Sequence, residues 1–131
     1  MDITLEWAEA SVRQAFEKAK KMNVQVNIAV MDTGGHLKSF TRMDEAYLGS
    51  IDIALQKAKT AMLFRTASEN VGEFLKPSAG AYGIENTNGG LAGFAGGRPI
   101  THDGKIIGYI GVSGGAVSQD AEIALAGSVI P

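Results

Sequence analysis

The stretch that decides the fold is Lys105–Gly115, KIIGYIGVSGG. Its β-branched and aromatic residues predict a strand that is buried on both faces. Gly108 and Gly111 lie inside this strand, where a glycine indicates close approach by another backbone or a ligand. The strand runs into Ser113-Gly114-Gly115, directly before a helical pattern, so backbone N–H groups there can face an anion. A tight turn that binds no ligand also explains this segment, because it lacks phosphate-loop spacing.

Composition limits the class of protein. A length of 131 residues predicts one domain, 1–131. The absence of cysteine excludes disulfides, thiolate metal sites and a cysteine nucleophile. A net charge of −2 gives no reason to expect nucleic acid or an anionic membrane as a partner, and no apolar run is long enough to span a bilayer. Met1-Asp2-Ile3-Thr4 carries an acid where a signal peptide needs a base, so we expect a cytoplasmic protein.

The first half of the chain predicts a helix followed by a hairpin. Thr4 is a good N-cap, and apolar residues recur at helical spacing from Leu5 to Met22. Val24–Met31 is rich in β-branched residues and predicts a strand. Asp32–Gly35 is a turn signal, and His36–Arg42 alternates as a second strand, so the two strands should pair as a hairpin.

The second half predicts a helix and then more strands. Ser50 can cap a helix whose apolar stripe contains Ile51, Leu55, Ala58 and Met62. Ser78–Gly90 is irregular, as functional or mobile loops are. The remaining predicted elements are a short helix over Ser68–Leu75, strands over Leu91–Ala95, Arg98–Thr101 and the central stretch, a hairpin turn at His102-Asp103-Gly104, and a last helix over Ser118–Ala126.

The order of these elements predicts the fold class. It contains no regular βαβ repeat, so a parallel sheet is disfavoured. Hairpin-linked strands instead indicate an α+β fold with an antiparallel sheet of about five strands and helices mostly on one side. Pro99 cannot donate to a ladder, so its strand should lie at an edge or a bulge.

Several segments are similar to those of a known family, in the same order over nearly the whole chain. They are Ile28–Leu37, Phe40–Asp44 with Gly49-Ser50, Lys57–Ala61 with Phe64, Gly96–Ile100, Ile106–Gly115, Gln119-Asp120 and Ala126-Gly127. Together they resemble the GlcG-type, HbpS-like haem-degrading family, which includes the C-terminal domain of PduO-like corrinoid adenosyltransferases. The resemblance implies a profilin-like domain and homo-oligomers. It implies haem as a cofactor of some members, and an association with glycolate, glycerol or diol utilisation for others.

Imidazole for a haem site could come from two residues. A haem site needs an apolar slot, often an axial ligand, and cations for the propionates. His36 and His102 are the two histidines, and a solvated side chain with no ligand also explains each of them. His36 is the favoured metal ligand, because it is close in sequence to the strand of Arg42. The tyrosines and methionines remain alternative axial ligands.

Further candidates surround these histidines. Arg42 can fix a carboxylate through a bidentate fork, or it can form a salt bridge with a nearby acid such as Asp44, Glu45 or Asp52. Lys57 borders an apolar helix face, where it can line a pocket or simply extend its amine to solvent. The pocket is predicted to form from four segments, namely the Arg42 region, the Ser50–Phe64 helix, the Gly80–Gly90 loop and the Ser113–Gly115 turn, and a neighbouring subunit can add a further wall. The predicted ligand-binding set is Arg42, His36, Lys57, Phe64, Ser113, Gly114 and Gly115.

The sequence matches the catalytic motifs of known enzyme classes poorly. The sequence around Ser113 matches the Gly-x-Ser-x-Gly nucleophile motif only in part, and the histidines and acids do not have the spacing of a zinc site. Asp32, Asp103 and Asp120 each have a turn or cap role that explains them. The favoured hypothesis is therefore a non-catalytic, or at most weakly active, domain that binds a small ligand, either a haem-like tetrapyrrole or a small carboxylate. The alternatives are an accessory protein that assembles with a pathway enzyme and, third, an enzyme acting on haem or a small hydroxy acid.

Overall fold

The computed structural model describes all 131 residues. Its four strands form one antiparallel sheet in the order β2-β1-β4-β3. Three single-turn 3-10 helices occupy the connection between α3 and β3. The main elements are α1 (Leu5–Met22), β1 (Asn27–Met31), β2 (Leu37–Arg42), α2 (Gly49–Phe64), α3 (Ser68–Gly72), β3 (Gly97–His102), β4 (Lys105–Ser113) and α4 (Val117–Gly127).

The α+β class and the antiparallel sheet are confirmed, but the prediction of about five strands was wrong. Leu91–Ala95 forms no strand. The N–H of Ala92 donates to the hydroxyl of Thr60 on α2, and Gly93 packs directly on Gly72 of α3. This segment is therefore held against helices and cannot join the sheet. β1 also begins three residues later than predicted, at Asn27.

Helices cover both faces of the sheet, rather than mostly one. α1 and α4 pack on the face that carries the main apolar core, which includes Ile28, Val30, Ile110 and Val112. The alternate residues of β1 and β4 face α2, because successive side chains point to opposite sides of a strand. As predicted, β4 is buried on both faces over most of its length.

Gly111 sets the distance between the sheet and α2. A Cβ atom at this position would lie 2.0 Å from the carbonyl oxygen of Ala54 and 2.7 Å from the amide nitrogen of Ala58. Both alanines are fully buried. The predicted close backbone approach at Gly111 is therefore confirmed, and its partner is the helix backbone itself.

The two ends of the sheet differ. β3 is an edge strand, as Pro99 predicted, but the C-terminal segment pairs along its outer side, where Thr101 N–H donates to Ser128 and Ile130 N–H donates to Thr101. The β3–β4 turn has positive φ at Asp103 and Gly104, as its sequence predicted. β2 forms the other edge. None of the helices combines the length and the apolar character needed to cross a membrane.

Replacing Gly111 with valine should destabilise the protein by about 1–3 kcal/mol or more, because the new side chain would overlap the backbone of α2. The free energy of unfolding from urea denaturation measures this. Gly49→Ala is the matched control, since a Cβ at Gly49 meets nothing within 4 Å. Equal stability of the two variants would contradict the packing argument.

Candidate functional site

A buried ion pair lies at the end of β4. Lys57 Nζ donates to Asp120 Oδ2 at 3.1 Å and to the carbonyl oxygen of Val112 at 2.9 Å. The two charged side chains are 1% and 4% exposed. The Lys57 ammonium also lies 4.8 Å from the ring centroid of Phe94. The prediction that Lys57 extends its amine to solvent was therefore wrong.

Glycine makes this burial possible. A Cβ at Gly96 would lie 2.8 Å from Lys57 Nζ, and one at Gly97 would lie 2.2 Å from the Lys57 carbonyl oxygen. The lysine stem therefore occupies space that a side chain from the start of β3 would otherwise fill. The sequence placed Lys57 beside Ala54 and Ala61 on one helix face, which was a signal of burial. Its partner Asp120 is 63 residues away and had no such signal.

The anion position predicted at the glycine turn after β4 is filled by a side chain of the protein itself. The N–H of Gly115 donates to Asp120 Oδ1 at 2.9 Å, so the carboxylate takes the position that an anion was predicted to use. The predicted cap role of Asp120 is thereby confirmed, and the ion pair with Lys57 is added to it. Gly114 has a φ of 144°, and a Cβ there would lie 2.6 Å from the carbonyl oxygen of Gln25.

The charges of this pair act against burial. Removal from water lowers the pKa of Lys57, and the carboxylate of Asp120 partly reverses that shift. Removal from water raises the pKa of Asp120, and Lys57 and the N–H groups of Gly115 and Gly114 counteract it. Each partner therefore depends on the other to remain ionised. The pair connects α2 with α4 around the end of β4, which is a structural role.

Lys57→Met should lower the free energy of unfolding by about 3–5 kcal/mol, because it leaves the Asp120 carboxylate buried without a counter-charge. Adding Asp120→Asn should reduce the loss, since the amide oxygen still accepts from Gly115 and no charge is left unpaired. A double-mutant cycle in urea measures the coupling. Strictly additive losses would contradict a coupled pair.

The β1–β2 turn presents an exposed imidazole. The His36 side chain is 81% exposed, and its Nδ1 lies 3.2 Å from Asp32 Oδ1. The same carboxylate oxygen accepts the N–H groups of Gly34 and His36, each at 2.9 Å. The predicted turn role of Asp32 is confirmed. His36 Nε2 forms no hydrogen bond within the chain.

An open strip runs along β2 from this turn. Met31 pairs with Leu37, whereas Ala29 pairs with Phe40 and Asn27 with Arg42, and the register shifts between the first of these pairs and the others. The shift places Leu37, Phe40 and Arg42 on the same face of the sheet as α2, which covers β1, β4 and β3 on that face. We call these three residues the β2 strip. α2 packs on β4, β1 and β3 and leaves the strip largely uncovered.

Arg42 at the end of the strip is exposed. No carboxylate lies within 4.0 Å of its guanidinium, so the salt bridges considered for it do not form. His36 and Arg42 are six residues apart, and an extended strand separates Cα atoms at that spacing by about 20 Å. His36 therefore lies just before one end of the β2 strip, and Arg42 forms the other end.

Phe64 lies elsewhere. It lines a mainly apolar cavity of about 400 Å³, together with Val71, Phe74 and Ile84 from the segment after α2. Met62, two residues earlier, instead touches Gly35 in the β1–β2 turn. Two residues turn an α-helix by about 200°, so Phe64 faces away from His36.

A second cleft of about 350 Å³ lies between the outer face of α2 and the loop before β3. Asp52, Gln56 and Glu85 provide its polar groups, and Phe94 forms part of its wall. Gln56 Oε1 is buried without a hydrogen-bond partner. None of these side chains was predicted individually to bind a ligand. The cleft nevertheless lies between the Ser50–Phe64 helix and the Gly80–Gly90 loop, two of the four segments that the sequence predicted to form a pocket.

The predicted set is thus divided into three places. Lys57, Ser113, Gly114 and Gly115 meet at the end of β4. Arg42 lies at the same end of the sheet, opposite Asn27, which in turn lies opposite Ser113. His36 lies at the other end of the sheet, and Phe64 ends α2. No three His, Cys, Asp or Glu side chains gather where they could hold a metal ion.

The alternative axial ligands are in different environments. His102 is 21% exposed, packs against Trp7 in a tilted arrangement with ring centroids 4.4 Å apart, and has Nδ1 3.0 Å from the carbonyl oxygen of Ile130. Tyr109 is buried, and burial raises its pKa. Tyr47 and Tyr82 are exposed. His36 therefore combines exposure, a fixed ring and a free nitrogen.

Comparison with known proteins gives a consistent result. A family model described as "Haem degrading protein HbpS-like" matches residues 3–128. An uncharacterized 15.0 kDa protein in the dhaT-dhaS intergenic region of Citrobacter freundii is 40% identical over 123 residues, which are 93% of this chain and 87% of that protein. The corrinoid adenosyltransferase PduO of Salmonella typhimurium is 37% identical over 113 residues, which are 86% of this chain and 34% of the enzyme.

A solved structure is also similar. The crystal structure described as a PduOC:heme complex has a TM-score of 0.90 and 33% identity, and the match covers 97% of this chain and 93% of that chain. The similarity therefore extends over the whole fold described above.

Proposed function

Because this chain belongs to the HbpS-like family, we propose that it binds haem or a related tetrapyrrole at the β2 strip, with His36 as axial ligand. The observation that carries the proposal is the exposed His36 ring, whose Nδ1 is held by Asp32 while Nε2 is free. A similar protein, PduOC, has been crystallised in complex with heme.

His36 and the β2 strip together suit the three parts of a haem: the iron, the macrocycle and the propionates. His36 offers the imidazole nitrogen that haem iron accepts. Leu37 and Phe40 provide apolar contact for the macrocycle, and the unpaired guanidinium of Arg42 suits a propionate. Bound haem would supply redox-active iron. The chain's own residues bind and orient the ligand, and the strip carries no pair of side chains arranged for acid–base or nucleophilic catalysis.

The strip is one wall rather than a closed slot. Leu37 is 52% exposed, and ligand pockets usually bury most of a ligand's surface. A second copy of the chain, placed over β2, would supply the opposite wall. The proposed binding form is therefore a homo-oligomer, in which the site forms between two copies.

Haemin titration tests the axial ligand. The wild-type protein should show a saturable Soret change at one haem per chain or per dimer. His36→Ala should alter the spectrum and weaken binding at least tenfold, about 1.4 kcal/mol. His102→Ala is the matched control and should leave affinity unchanged, since its ring is engaged by Trp7 and Ile130.

Two results would contradict this assignment. Linear uptake that never saturates would indicate adsorption rather than a site. A tenfold loss in His102→Ala with none in His36→Ala would move the ligand to the other histidine.

The propionate contact has its own test. Arg42→Gln should weaken haemin binding several-fold while leaving the Soret and ligand-field bands of the bound form unchanged, because it removes a carboxylate partner and not an iron ligand. Lys38→Gln, from the same strand, is the charge-matched control. An equal effect of both variants would indicate only general electrostatic attraction.

A second candidate function is an accessory role beside an enzyme. The chain matches about a third of PduO, and Tyr47 and Leu48 are exposed side by side, at 74% and 72%. Such a surface suits a protein partner. Mixing the chain with a corrinoid adenosyltransferase that lacks the matching region should give co-elution, lost in a Tyr47→Ser/Leu48→Ser variant. Separate elution would reject this candidate.

A further inference from the structure

We infer that Asp32 is the positioning residue of the site, and that it commits His36 to bind iron through Nε2. This rests on the proposed function for the identity of the ligand, but the state of the ring can be measured without any ligand. In the neutral ring one nitrogen carries the proton, and the other has the lone pair that can bind iron.

One oxygen atom of Asp32 organises the turn. Asp32 Oδ1 faces three nitrogen atoms: the amides of Gly34 and His36 at 2.9 Å each, and His36 Nδ1 at 3.2 Å. The Asp32 side chain is 20% exposed, against 81% for His36. The carboxylate is thus fixed by the backbone of the turn, and the ring is fixed by the carboxylate.

The chemistry of the contact determines the tautomer. An ionised carboxylate can only accept hydrogen bonds, whereas a neutral imidazole donates through one nitrogen and accepts through the other. With Nδ1 facing Asp32, the proton belongs on Nδ1. The lone pair is then on Nε2, which is the free nitrogen.

Gly34 limits the ring from another side. A Cβ at Gly34 would lie 3.1 Å from both Cε1 and Nδ1 of His36. The ring therefore lies close over the backbone at residue 34, in a space that a side chain would narrow. Asp32 and Gly34 together hold the imidazole on an otherwise exposed turn.

A carboxylate that accepts a hydrogen bond from a ligating histidine also changes the reduction potential of the bound metal. It raises the basicity of the ligand and orients the ring, as outer partners of metal-bound histidines commonly do. In this site Asp32 should therefore stabilise the oxidised iron. Replacing it with asparagine, which keeps an oxygen acceptor for the turn amides but removes the charge, should raise the reduction potential of bound haem.

The first experiment uses the haem-free protein. Long-range ¹H–¹⁵N NMR at a pH where His36 is neutral should show the wild-type ring mainly protonated on Nδ1. Asp32→Ala should abolish that preference, and Asp32→Asn should reduce it. His102 serves as the internal control, and unchanged amide shifts in β1 and β4 show that the fold is intact. An unchanged His36 tautomer in Asp32→Ala would overturn the inference.

The second experiment separates this inference from the proposed function. If the wild type binds no haemin, the proposed function fails, whatever the tautomer. If haemin binds, a higher reduction potential in Asp32→Asn than in the wild type supports the inference. Equal potentials, with equal spectra, would overturn the positioning role while leaving haem binding in place.

Discussion

The ion pair between Lys57 and Asp120 is the interaction on which the arrangement of layers depends. α2 lies on one face of the sheet and α4 on the other, and the pair joins them around the end of β4. Removing both charges from water costs several kcal/mol per ion, which the chain offsets with close partners. Lys57 also donates to Val112, and Asp120 also accepts from Gly115.

The glycines near this pair provide the space in which the lysine and α2 are buried. Gly96 leaves room for the lysine side chain, and Gly97 and Gly111 let the backbone of α2 approach the sheet. These residues could be mistaken for a ligand-binding loop, because such loops are also rich in glycine. Here the space they leave is filled by the protein's own helix and side chains. The exposed imidazole and the open strip lie instead toward the β2 edge.

Local signals in the sequence predicted most of the elements. The capped helix α1, the Asp-Gly turn and the apolar strand β4 are each specified by neighbouring residues, so they could be recognised without tertiary information. Leu91–Ala95 could not, because its apolar residues suit a strand, and only contact with Thr60 and Gly72 excludes one. The same limit applied to Lys57, whose partner is distant in sequence.

In the candidate site, too, the individual residues could be predicted from the sequence but their arrangement could not. His36, Arg42 and the turn role of Asp32 could be selected from residue type and position. Their arrangement could not, because it depends on strand length and on the register shift in β2. His36 and Arg42 are a strand's length apart, and only the folded chain reveals that Phe64 faces away from His36.

The unequal edges of the sheet have a consequence for self-association by strand addition. The edge at β3 is covered at Thr101 by the C-terminal segment, so a strand added along that whole edge would have to displace the segment. The edge at β2 is free but carries Lys38 and Arg42, and an antiparallel pairing of two copies centred on Phe40 would set these cations opposite each other. Like charges in that position oppose pairing. The chain is thereby protected against amyloid-like stacking, while its faces remain available for ordered contacts.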